Sequence, residues 1–328
     1  MIGQVALEEH RGEVVESEWS RGDVWAIVLA GGEGVRLRPL VRRVFGDDRP
    51  KQYAALLGAQ SLLCQTLDRV SLLVPAERTL VVTMAQHAGY VAREFAQRQR
   101  PVVVAQPCDR GTVAAILYPA HRIAWTAPDA TVAVLPSDHL VGSDAAFMAH
   151  VGEIAQWVDR HPEQTVLLGA QPTSPEVEYG WIEPAGYLGE VASGPIHAVR
   201  KFWEKPSLVT ASAGLAAGHL WNTSVVVAKV STLLALGRAG LPDAADRLAR
   251  IRAFVGTPDE SAAVHQAYQL LPRANFSRAI LEACPDRLVV SRMPPVGWTD
   301  LGSPRRVVEA ASLLSAPPAW ASEFAPLD

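Results

Sequence analysis

The sequence predicts an α/β fold, with a mixed, mainly parallel sheet flanked by helices. Three observations carry that expectation. Short apolar or β-branched runs recur at Val24–Ala30, Thr79–Thr83, Val102–Ala105, Thr131–Leu135 and Thr165–Leu168. Amphipathic stretches lie between them, such as Ser61–Leu73, with Leu63, Leu67 and Val70 on one face, and Gly111–Trp125. A glycine-rich segment, Gly31-Gly32-Glu33-Gly34, follows the first run directly. Apolar runs that alternate with helical patterns make parallel strands with helices above and below.

Each element has its own justification. Val24 to Ala30 reads as a buried parallel strand. The glycines after it let the backbone turn tightly and bring N–H groups close to a ligand, and such a loop cradles phosphate. Arg36 and Lys51 add two cations to it. Leu37 stands where a dinucleotide-binding loop needs its third glycine, and no Gly-Lys-Ser/Thr follows, as a P-loop requires. The strand Thr131–Leu135 delivers Pro136-Ser137-Asp138-His139 to the carboxyl edge of the sheet, where such folds bind ligands. The second half reads as more mixed, with strands around Tyr179–Glu183, Ala198–Trp203 and Thr223–Ala228. Helical patterns follow at Ser231–Arg238, Ala244–Phe254, Glu260–Leu271 and Phe276–Ala283. A last strand, Arg287–Arg292, precedes the loop Val296–Gly302 and a closing helix from Ser303 to about Leu314.

Composition narrows the class. The chain has 328 residues, 49% hydrophobic and 20% charged, ordinary values for a globular enzyme. A net charge of −4 leaves no footprint for nucleic acid. No uninterrupted apolar run is long enough to predict a membrane span. Residues 1–23 carry Glu8, Glu9, Glu13, Glu16 and Glu18, so a flexible extension is expected there and a secretory signal is not. Residues 315–328 are rich in Pro and Ala and are expected to be loose. Cys64, Cys108 and Cys284 form neither metal-ligand spacing nor a disulfide framework, so a reducing cytoplasm is the compartment expected. Only four of the 30 basic residues are lysines. Against that bias a retained lysine marks a need for a compact point charge, and Lys51 and Lys205 both sit in motifs.

Those motifs follow one another in order. They are the glycine loop with Arg36 and Lys51, Gln106-Pro107-Cys108-Asp109-Arg110-Gly111-Thr112, and Leu135-Pro136-Ser137-Asp138-His139. Glu178-Tyr179-Gly180-Trp181-Ile182-Glu183, Phe202-Trp203-Glu204-Lys205-Pro206, Leu220-Trp221-Asn222-Thr223 and Gly297-Trp298-Thr299-Asp300-Leu301-Gly302 complete the set. Together they resemble the sugar-phosphate nucleotidyltransferases, and the pattern is most similar to the mannose-1-phosphate guanylyltransferase branch. The resemblance implies a Rossmann-like sheet, the nucleotide-diphospho-sugar transferase fold, in a single domain over residues 24–314. Residues 24–165 would form the nucleotide half and 166–314 the sugar-phosphate half. Two departures stand out: Arg110-Gly111-Thr112-Val113-Ala114 on the nucleotide side, and Trp221-Asn222-Thr223-Ser224 on the sugar side.

The reaction implied is attack by a sugar 1-phosphate oxygen on the α-phosphorus of a nucleoside triphosphate, with pyrophosphate leaving. The nucleophile is already anionic, so no general base is needed. Bringing two polyanions together calls for cations, N–H groups and Mg²⁺. Carried over by position, Arg36 and Lys51 would act on the phosphates. Leu29, Ala30, Gly31, Gly32, Gly34, Gln106 and Gly111 would hold the nucleotide. Asp138 and Asp300 would bind Mg²⁺; read alone, each serves equally as a helix cap or turn residue. Gly180, Glu204 and Asn222 would bind sugar hydroxyls, and Lys205 the sugar phosphate. Because Lys205 precedes a proline, an extended backbone is expected there. His139 reads as a structural neighbour. GTP and mannose 1-phosphate are the expected substrates, with another sugar or cyclitol phosphate, or UTP or dTTP, as alternatives. A catalytically silent nucleotide-sugar-binding homologue is the alternative of a different class. The expected partners are small molecules, with no nucleic acid and no membrane; a homodimer is the assembly to test.

Overall fold

A computed structural model describes residues 24–96, 98–314 and 317–323. The expected 1–23 extension lies outside the described residues. The first part of the chain runs β1 Val24–Leu29, α1 Arg38–Phe45, α2 Leu62–Ser71, β2 Thr79–Met84, α3 Ala88–Glu94, β3 Val102–Gln106, α4 Gly111–Thr126, β4 Thr131–Pro136 and α5 Asp144–Arg160. Then come β5 Thr165–Ala170, β6 Gly180–Val191, β7 Gly194–Glu204, α6 Leu208–Ala216, β8 Leu220–Lys229, α7 Val230–Gly240, α8 Pro242–Arg250, α9 Glu260–Leu270, β9 Leu288–Arg292 and α10 Pro304–Ser312.

One nine-stranded sheet results, in the order β3-β2-β1-β4-β8-β5-β9-β7-β6. It is mixed and flanked by helices, as expected. Its parallel pairs are β1 with β2, β1 with β4, β2 with β3, and β5 with β9. Strand β8 runs antiparallel between β4 and β5. That insertion places the start of β8, with Asn222, at the same edge as the carboxyl ends of β1, β3 and β4. The hairpin β6–β7 completes that edge, with Gly180 paired to Glu204 and Trp181 to Trp221.

Both faces of the sheet are covered, which is why its strands read as continuous apolar runs. On one face Ile27, Val132, Val134 and Val226 pack with Leu117 and Ile123 of α4, and with Leu233 and Leu236 of α7. On the other, Val28, Ala133 and Val227 pack with Val151, Ile154 and Val158 of α5. A third cluster joins Leu37 and Leu40 to Leu301, Val307 and Ala311, so the segment after the glycine loop and the closing helix share a core. The tail expected to be loose includes a 3₁₀ turn, Ala319–Glu323, whose Ala321 is buried in this third cluster. Its alanine and Trp320 cover apolar surface that α1 and α10 leave open.

Local chemistry sets several boundaries. Ser61, Ser207 and Ser303 cap α2, α6 and α10 by accepting the N–H three residues on. The helix expected at Phe276–Ala283 is instead a short π-type turn, Ser277–Leu281. Its entry is tied to α4: Thr112 Oγ1 accepts from the Phe276 N–H at 2.7 Å, and Ala274 exchanges backbone bonds with Arg110 and Val113. No helix among the described residues is long and apolar enough to cross a membrane.

Candidate active site

The glycine loop leaves β1 and is tied down from below. Gln52 is buried, and its Nε2 donates to the carbonyls of Ala30 and Gly32, both at 2.8 Å. Tyr53 Oη donates to the Ala30 carbonyl at 3.2 Å and pairs with Thr83 Oγ1 at 2.7 Å. The loop carbonyls are thus turned into the protein. Among the described residues, no hydrogen bond takes up the N–H groups of Gly31, Gly32, Glu33 or Gly34. A run of backbone donors without protein acceptors is the equipment of an anion cradle. A side chain at Gly31 would stand 3.1 Å from Gln106 Nε2, so Gln106, at the end of β3, borders the same space. Tyr268 holds Gln106 through Oε1 at 3.3 Å.

Gly111 serves a different need. Its φ is +76° and a Cβ there would collide with the Ala274 carbonyl, so only glycine fits the start of α4. Its N–H is accepted by Asp109 Oδ1 at 2.8 Å. The backbone requirement by itself accounts for glycine at this position.

Asp138 and Asp300 come together through two loops. Ser137 is anchored on the Leu29 carbonyl, which sets Asp138 beside the glycine loop. An isolated antiparallel bridge joins Leu140 to Thr299, one residue before Asp300. Lys51 fastens both loops. Its Nζ lies 3.0 Å from Asp138 Oδ2, 3.0 Å from the Asp300 carbonyl and 3.2 Å from the Leu301 carbonyl. An ammonium has three N–H groups, and all three have protein acceptors here. Lys51, expected on phosphate, cross-links the carboxylate loops in this structure.

Asp300 Oδ1 accepts from Tyr179 Oη at 2.9 Å, Arg306 at 2.6 Å and the Gly302 N–H at 2.9 Å. Burial alone would raise its pKa, but the positive charges of Arg306, which also donates to it, and Lys51 outweigh burial and hold it below the usual aspartate range. The Asx-type bond to Gly302 is therefore present, while the cap of α10 is Ser303 and that of α5 is Ser143. Asp138 caps no helix. Each carboxylate keeps one oxygen outside these bonds: Asp300 Oδ2, and Asp138 Oδ1, 3.8 Å from His139 Nε2. His139 is buried and held neutral by desolvation, and its Nδ1 accepts from the Trp298 indole at 3.2 Å. Among the described residues no group of three or more His, Cys, Asp or Glu converges as a metal cage.

The residues expected on the sugar side also converge. A Cβ on Gly180 would stand 2.9 Å from Phe202, 3.1 Å from Asn222 and 3.1 Å from Glu204 Oε2. Any side chain at 180 would fill that corner. Burial pushes the Glu204 carboxyl up, against the pull of Lys205 and Arg278. Asn222 is buried, and its Oδ1 accepts from the Ser224 N–H at 3.1 Å, which leaves its amide hydrogens for other use. Lys205 corrects an expectation. Its φ is +53°, left-handed despite the following proline, so the chain turns sharply where β7 ends. That turn separates the Lys205 side chain from the Glu204 direction.

Three contributors carry little signal in the sequence. Arg306 pairs with both Asp300 and Glu176 at 2.6 Å and lies over the Tyr179 ring at 4.5 Å. A cation in the first turn of a helix opposes the helix dipole, and that is the one local sign that its charge serves something else. Gln52 and Glu178 are the others. Glu178 Oε2 accepts from Arg36 at 2.7 Å and lies 3.6 Å from Lys205 Nζ.

A family model described as nucleotidyl transferase matches residues 25–316, nearly all of the described chain. The chain belongs to this nucleotidyl transferase family. Among curated relatives it is 33% identical over 287 residues to the xanthan biosynthesis protein XanB of Xanthomonas campestris pv. campestris, covering 86% of this chain and 58% of that one. It is 31% identical over 281 residues to a mannose-1-phosphate guanylyltransferase of Sinorhizobium fredii, covering 84% of this chain and 52% of the relative. The nucleotidyl transferase chain thus spans a little over half the length of these relatives. Among solved structures it resembles one described as mannose-1-phosphate geranyltransferase from Thermus thermophilus, with a TM-score of 0.75, 30% identity, and coverage of 88% and 79% of the two chains.

Proposed function

We propose that this chain transfers GMP from GTP to mannose 1-phosphate, releasing pyrophosphate and forming GDP-mannose. The observation that carries the reading is the glycine loop, with its carbonyls tied by Gln52 and its N–H groups open beside Arg36. It lies next to the Asp138 and Asp300 loops, as a triphosphate-binding corner requires. The Gly180, Glu204 and Asn222 cluster supplies a second, hydroxyl-binding corner at the same sheet edge. The name of one relative, mannose-1-phosphate guanylyltransferase, supports the choice of sugar and base.

In this reading the loop N–H groups and Arg36 neutralise the triphosphate and stabilise the charge that builds toward the leaving pyrophosphate. Glu204 and the Asn222 amide orient the sugar, and Lys205 takes its phosphate. Positioning the anionic nucleophile in line is the main catalytic device. Asp138 and Asp300, through their remaining oxygens, would hold Mg²⁺. Few protein ligands beside substrate phosphates suit that ion, which screens phosphate charge when bound. Lys51 keeps both loops in register.

A matrix of GTP, ATP, UTP and dTTP against several sugar 1-phosphates, with Mg²⁺ and pyrophosphate release as readout, tests the proposal. GTP with mannose 1-phosphate should give the highest kcat/KM. A preference for another pair would keep the chemistry and change the substrates. Inactivity with every pair would overturn the reading.

A further inference from the structure

Glu178 has no role in the chemistry described so far, yet it sits between two of its cations. One oxygen, Oε2, is 2.7 Å from Arg36 and 3.6 Å from Lys205. Arg36 belongs to the glycine-loop side, and Lys205 to the left-handed turn at the end of β7. The three side chains are about half exposed, so no burial forces them together. The backbone that presents Glu178 is braced. Its N–H donates to Glu176 Oε1 at 3.0 Å, Glu176 is held by Arg306 at 2.6 Å, and the Trp181 indole donates to the Glu176 carbonyl at 2.7 Å. Arg306 in turn holds Asp300. The carboxylate is therefore offered to both cations from a fixed base.

We infer that Glu178 competes with phosphate for Arg36 and Lys205, and so sets how readily phosphate ligands exchange at the site. The inference rests on the reading of those two cations as phosphate ligands. A phosphate dianion outbids one carboxylate for a guanidinium or an ammonium, so substrates still bind. Each must first displace Glu178 from its cation. When pyrophosphate leaves, Glu178 re-pairs with Arg36 and lowers the cost of release. The arrangement trades ground-state affinity for turnover.

The test uses the full chain and a Glu178→Gln variant, which keeps the shape and removes the charge. Calorimetry with inorganic pyrophosphate and with Mg²⁺-GTP should show tighter binding to the variant. The size should be up to about fivefold, the scale of an exposed ion pair. Steady-state turnover should fall through slower pyrophosphate release, while the single-turnover rate stays near wild type. Glu178→Asp should stay close to wild type in both affinities. Wild-type binding with no gain, or a loss, in Glu178→Gln would overturn the inference alone. A wild-type chain that binds neither probe would overturn the functional reading and this inference with it.

Discussion

Replacing Lys51 with Met should cost the fold about as much as any single change in the site. Met keeps most of the apolar stem and removes the ammonium. The Lys51 side chain is only 12% exposed, and its Nζ serves Asp138 Oδ2 and the carbonyls of Asp300 and Leu301. A hydrogen bond to a charged group is worth about 1.5–3 kcal/mol, and stranding a buried ion partner costs about 3–5 kcal/mol. Asp138 is 29% exposed, so water takes over part of its solvation and the lower end applies. We expect a loss of about 3 kcal/mol, or roughly 4 °C in Tm for a chain of this size. Urea unfolding followed by circular dichroism reads it. Adding Asp138→Asn to Lys51→Met should recover at least about 1 kcal/mol, because the stranded charge is gone. If Lys51→Met unfolds within about 0.5 kcal/mol of wild type, Lys51 does not cross-link the carboxylate loops.

Asp138→Asn and Asp300→Asn should each abolish pyrophosphate release at saturating Mg²⁺, and both should lower Tm, the first because Lys51 loses its counter-charge and the second because Arg306 loses its own. Near-normal turnover in either variant would remove that residue as a metal ligand. At position 205, Ala and Gly should both raise KM for the sugar phosphate. Gly should fold more stably than Ala by about 1 kcal/mol, since φ is +53°; equal stability would refute the strained turn. Burial raises the Glu204 pKa above its unfolded value, so the fold binds its proton more tightly and ionisation destabilises as pH rises through the folded pKa. Glu204→Gln should therefore be more stable than wild type at pH 7, with the difference vanishing at pH below the ordinary glutamate range. A constant difference across that range would contradict the assignment.

Much of the fold was legible because buried strands announce themselves. The runs at Val24, Thr79, Val102, Thr131 and Thr165 became β1 to β5 within one or two residues. The antiparallel insertion of β8 was not legible, since an apolar run carries no mark of direction or neighbour. Helices α1, α3 and α6 are short, and α1 opens on Arg38-Pro39, so periodicity had little to work on. At the site, motif residues named from the sequence do assemble: Asp138 with Asp300 around Lys51, and Gly180 with Glu204 and Asn222. What could not be read was partnership across the fold. Arg306 on Asp300, Gln52 under the loop and Glu178 between two cations each depend on contacts that no local pattern announces. Lys205 shows the limit of local rules: a following proline disfavours helical backbone but does not stop the left-handed turn that the site uses.

The central claim is that this chain joins a nucleotide to a sugar phosphate at the α-phosphorus. Phosphorus NMR of GTP and mannose 1-phosphate, incubated with the purified chain and Mg²⁺, tests it most directly. The account predicts loss of the α, β and γ signals of GTP and of the sugar phosphate signal together. A coupled diphosphate pair and pyrophosphate should replace them in equal amounts, and only when both substrates are present. Release of orthophosphate, or loss of GTP without the sugar phosphate, would contradict it.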